Sequence, residues 1–92
     1  MTKEQLLKFI RIRNRSEFTS NLQFGIDADE AGFKVEELGS PSRTWDESGQ
    51  ANGYRWETPF GELRERWFKL ALFDRAGEQV FPGQINVGLR VD

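Results

Sequence analysis

Asp27, Asp29 and Gly32 stand at the first, third and sixth places of a run that ends at Leu38. That spacing is how a calcium loop gathers oxygen ligands around a sharp turn. Two places break the match: the fifth is Ala31, and the twelfth, which should supply a bidentate glutamate, is Leu38. The flanks alternate apolar and polar residues instead of following a helical period. The tetrapeptide Asp29–Gly32 (DEAG) also recurs in type at Asp74–Gly77 (DRAG), again between alternating runs. One cause suits both, a type I turn whose glycine accepts positive φ. The run is expected to be a hairpin turn, with no metal or other cofactor.

Chemistry elsewhere is bounded by two absences, since the sequence contains neither histidine nor cysteine. The commonest general base, the commonest metal ligand and all thiol chemistry go with them. A carboxylate pair drawn from Glu57, Glu62 and Glu65 could in principle cleave glycosidic bonds. A small meander offers little cleft to exclude water, so these glutamates read as the solvent side of a sheet. The run GQANGY lacks the Lys-Ser/Thr and following helix of a phosphate loop. The chain is expected not to be an enzyme.

Binding chemistry is better represented. Lys8, Arg11 and Arg15 form one stripe of an N-terminal helix and could track phosphates, with Trp45, Tyr54 or Trp56 stacking on bases. The same aromatics, with Trp67, could form a sugar platform. Charge placement weighs against nucleic acid. Residues 1–15 carry five basic side chains against Glu4, whereas residues 27–47 hold seven acids against Lys34 and Arg43, within a net charge of −2.

The positioning elements follow from periodicity. Thr2 and Gln5 fit a capping box, and Leu6, Leu7, Phe9, Ile10 and Ile12 share a helical face. Arg13 falls inside that apolar arc, so the helix is expected to span about residues 3–13. From Glu17 the period becomes two, with Phe18, Leu22, Phe24, Ile26 and Ala28 on one side, which predicts a long strand. Phe33 and Val35 open its partner. Residues 39–53 are rich in loop formers and predict a flexible loop. Residues 62–73 fit either a helix capped by Thr58 or a strand bulged near Trp67. The turn chemistry of TPFG and DRAG at its two ends favours the strand. Ile85, Val87, Leu89 and Val91 alternate again.

Ninety-two residues make one domain, 13% of it aromatic. The expected fold is α+β, one N-terminal helix on an antiparallel meander of five to seven strands within about 17–92, open or curled into a partial barrel. The expected core is Leu6, Ile10, Leu22, Phe24, Ile26, Phe33, Val35, Phe68, Leu70, Leu72, Ile85, Val87 and Leu89.

The function expected is that of a small non-catalytic protein-interaction domain, an adaptor, an inhibitor or a self-associating protein. Nucleic-acid binding and carbohydrate binding are the alternatives. The C-terminal run QINVGLRVD, with Asn86, Gly88 and Arg90 outward, is poorly defended if it forms an edge strand, which favours a homodimer. The candidate interaction surface is therefore Lys8, Arg11, Arg15, Trp45, Tyr54, Trp56, Asn86, Gly88 and Arg90. Charges at Lys8, Arg11 and Arg13 interrupt any signal-peptide core, and no apolar run reaches the roughly 20 residues of a membrane span. A cytoplasmic protein is expected.

Overall fold

The computed structural model describes residues 1–15, 20–66 and 69–80. Helix α1, Lys3–Arg15, starts at the expected capping box: the Thr2 amide donates to Gln5 Oε1 at 2.8 Å, and the Gln5 amide donates to Thr2 Oγ1 at 3.1 Å. It buries Leu6, Phe9 and Ile10. The helix runs past residue 13 because Arg13 is taken into the interior, where it meets Asp27 at 2.8 Å.

The second element is a helix, not the expected strand. Helix α2, Asn21–Ala31, is capped by Ser20, whose side chain accepts from the Gln23 amide. It closes at Gly32, whose φ of 102° lets its N–H reach Asp29 while the Phe33 N–H reaches Ala28, a Schellman arrangement. On the helix, Phe24, Ala28 and Ala31 face inward, spaced by four and three residues. Leu22 and Ile26 lie on the solvent side, 77% and 48% exposed, and are not core. Two apolar faces on one helix add up to an apparent period of two, which is why this segment resembles a strand. The DEAG run is accordingly a helix end instead of a hairpin, and Phe33 and Val35 open no strand. Val35–Leu38 form a single 3₁₀ turn that buries Leu38.

The sheet has four described strands, β1 Ser42–Trp45, β2 Ala51–Thr58, β3 Gly61–Arg66 and β4 Lys69–Phe73, paired in sequence order and all antiparallel. It is open and does not curl into a barrel. Residues 62–66 and 69–73 are strand, as the turn chemistry indicated, and belong to β3 and β4 respectively. The expected flexible loop at 39–53 contains β1 and the start of β2, joined by a built turn. Asp46 Oδ1 accepts from the Ser48 and Gln50 amides, and Gly49 takes a φ of 87°. The DRAG turn repeats the device: Asp74 Oδ1 accepts from the Ala76 and Glu78 amides, with Gly77 at 85°. In both, an aspartate organises the turn and a glycine supplies the left-handed residue that returns the chain.

Helix α1 packs on the sheet face that carries Trp56, Leu63, Leu70 and Leu72, and α2 packs on α1 and reaches that face through Phe24. Of the expected core, Leu6, Ile10, Phe33, Leu70 and Leu72 are buried, and Phe24 and Val35 pack against it half-buried. Phe68, Ile85, Val87 and Leu89 lie outside the described residues. The outer edge of β4 is covered. Asn14 donates Nδ2–H to the Leu70 carbonyl at 2.9 Å and accepts the Leu70 N–H at 2.8 Å, and the Val80 amide bonds the Leu72 carbonyl. The other edge, β1, is four residues long, follows Pro41 and is irregular between Thr44 and Trp45. Both are means by which an edge is blunted. Among the described residues no helix is long and apolar enough to cross a membrane.

Candidate functional site

Strand alternation puts Tyr54 and Trp56 on the helix-facing side of β2, and the register sets Trp56 opposite Leu63 and Tyr54 opposite Glu65. Phe24 of α2 lies stacked on Trp56, with ring centres 5.5 Å apart and planes inclined by 22°, and meets Phe9 edge-on at 5.0 Å. Trp56, at 6% exposure, is thus core. Tyr54, two residues earlier and 39% exposed, emerges from it.

Beside this pair the sheet face opens into a groove of about 580 Å³, lined by Phe24, Val35, Glu36, Gly39, Pro41, Tyr54, Trp56 and Glu65. Its floor comes from β2 and β3, and α2, the 3₁₀ turn and the connector to β1 supply the remaining walls. Among its described lining residues two carry carboxylates and none is basic. Burial pushes the Glu65 carboxyl up to about 7, opposed in part by the positive charge of Arg13. Arg13 itself is matched in charge but only partly in hydrogen bonds. Its Nη1 bonds Asp27, its guanidinium lies 5.0 Å from the centre of the Phe24 ring, and its buried Nε and Nη2 have no hydrogen-bond partner.

The residues singled out from the sequence are dispersed. Lys8, Arg11 and Arg15 lie exposed along α1, as their spacing indicated. Trp45, 58% exposed on the edge strand, lines a separate cleft of about 220 Å³ with Thr44, Asn52, Arg55, Arg64, Glu65, Arg66 and Phe73. Trp56 is corrected from surface platform to core, because Phe24 and the sheet cover it. Trp67, Asn86, Gly88 and Arg90 lie outside the described residues.

The glutamate trio does not assemble. Glu57 and Glu62 face each other across β2 and β3, whereas Glu65, three residues after Glu62, points to the opposite face of the sheet. Glu65 is therefore not on the solvent side with the other two. The acids of the loop-like run also diverge: Asp27 bonds Arg13 inside, and Asp29 pairs with Lys34 at the surface. Among the described residues no group of three or more His, Cys, Asp or Glu is placed to hold a metal.

Glu65 could have been placed from sequence, since it lies two residues after buried Leu63 on the same face. The Phe24, Val35 and Glu36 walls could not, because they depend on α2 being a helix. No family model matches this chain, and comparison with curated proteins and with solved structures gives no match.

Proposed function

We propose that this chain is a non-catalytic protein-interaction domain that takes a segment of a partner into the groove beside Tyr54. The observation that carries this reading is the groove itself, within the 300–1,000 Å³ usual for binding sites and lined by aromatic and aliphatic side chains from the sheet, α2 and the 3₁₀ turn. The dispersal of Glu57, Glu62 and Glu65 supports a non-catalytic role. A cytoplasmic setting belongs to the same proposal.

Selection of a random peptide library on the immobilised domain tests it. Enriched peptides should lose binding to Tyr54→Ala, a half-exposed position whose truncation leaves the core in place. An absence of enrichment, or peptides indifferent to Tyr54, would count against the groove. Self-association is the other form of the reading. The C-terminal run that motivated it lies outside the described residues, and both described edges are blunted. Light scattering checks it, against a chain mass of 10.7 kDa.

One observation favours nucleic acid as a second reading. The outer sheet face sets exposed Trp45 in one cleft with Arg55, Arg64 and Arg66, although Glu62 already pairs with Arg55 and Arg64. Binding there, or along Lys8, Arg11 and Arg15, should weaken with salt by a slope of about −0.9 per duplex phosphate contact.

A further inference from the structure

We infer that the groove recognises a basic side chain, lysine or arginine, presented by the partner segment. The inference rests on the proposed function and adds the chemistry of the occupant. Its first ground is charge. Glu36 and Glu65 come from different elements, the 3₁₀ turn and β3, and both line the groove, with no lysine or arginine among its described lining residues. The nearby cation, Arg13, is already matched by Asp27 at 2.8 Å. An anionic occupant would meet two carboxylates and no cation among the described lining residues.

The second ground is the aromatic wall. Tyr54 is partly exposed at the groove, with its ring 6.3 Å from that of Trp56, and Trp56 is fixed by its stack on Phe24. An aromatic ring beside a carboxylate is how an ammonium or guanidinium is held after it leaves water, through the ring quadrupole and a charge-assisted hydrogen bond. The third ground is the state of Glu65. It is largely shielded from water, and among the described residues its carboxyl receives no hydrogen bond. A purely apolar occupant would complete that desolvation without supplying a partner, which is costly. A basic side chain supplies one. The volume also leaves room for the residues flanking it.

The test uses the whole 92-residue chain and three small probes: N-acetyl-lysine amide, N-acetyl-arginine amide and the uncharged N-acetyl-norleucine amide. Binding is followed by amide chemical shifts. Saturable shifts confined to residues 35–41, 54–56 and 63–65 are expected for the basic probes, with norleucine at least about tenfold weaker. The Glu36→Gln/Glu65→Gln double variant keeps the shape of the walls and removes their charge. It should lose the basic probes' advantage while its remaining spectrum stays unchanged. If that variant fails to fold, Glu36→Gln alone, at an exposed site, must still weaken the basic probes. Equal binding of norleucine, shifts centred elsewhere, or no saturation at tens of millimolar would overturn the inference. Selected peptides that depend on Tyr54 yet lack a basic residue would sink this inference and leave the interaction reading intact. No groove-dependent peptide at all would remove both.

Discussion

Arg13 of α1 and Asp27 of α2 meet at 2.8 Å in a place neither shares with solvent, so one buried ion pair fastens the two helices. Asp27 is satisfied on both oxygens, by Arg13 and by Gln23 Nε2 at 2.8 Å. Arg13 is not, with Nε and Nη2 unpartnered. Removing one charge strands the other. Asp27→Asn should cost about 3–5 kcal/mol, whereas Arg13→Met combined with Asp27→Leu should recover most of that loss. Urea unfolding of the three proteins decides, and an unchanged midpoint for Asp27→Asn would show the pair to be inert.

Glu65 gives the domain a pH dependence of unusual sign for a carboxylate. Its folded pKa, about 7, lies above the ordinary 4.5, so between those values the folded state holds a proton that the unfolded state has lost. Stability attributable to Glu65 falls as pH rises through that window and is flat above it, a total on the order of 3 kcal/mol. The readout is the difference between native protein and Glu65→Gln, which cancels the other carboxylates. The variant should be the more stable at pH 8, and its advantage should shrink towards pH 4.5.

The two aspartate-led turns should respond alike to a methyl group. Gly49 and Gly77 hold φ near 87° and 85° with open space where a Cβ would stand. The penalty of Gly→Ala is thus backbone strain alone, about 1–2 kcal/mol at each site and additive between them. Thermal melts of the two single variants and the double variant measure it.

Leu22→Gln and Ile26→Gln should each leave stability within about 0.5 kcal/mol of the native value, since both side chains face solvent. The same substitution at Ala28, on the buried face of α2, should be severely destabilising. Equal losses at all three positions would return this segment to the strand reading.

How far the sequence discloses the fold varies with the kind of signal. Local chemistry reads correctly where a side chain bonds its own backbone neighbours, as with Thr2 and Gln5 at the start of α1 or Asp74 and Gly77 between alternating runs. Hydrophobic periodicity fails in α2, because Leu22 and Ile26 place apolar groups on the solvent side and no pattern rule separates that from a strand. Arg13 fails for the complementary reason. A charge in an apolar arc ends a helix unless a partner waits in the core, and Asp27 is found only after the chain has folded. The groove inherits the α2 error, which is why Tyr54 was legible as an exposed aromatic while its surrounding walls were not.

The amide of Asn14 holds both backbone groups of Leu70 across 56 residues of chain. The hairpins of the sheet join near neighbours and can form within microseconds, but this clasp requires the final described strand to exist. At roughly 5–20 residues per second, a ribosome delivers Leu70 some 3–11 seconds after Asn14. Throughout that interval the side of α1 destined for β4 has no strand to pack on, whereas α2 follows α1 directly in the chain and is delivered far sooner. The helix that begins the chain is therefore among the last parts to be finished, and the pace of synthesis sets how long its apolar stripe stays open to other chains.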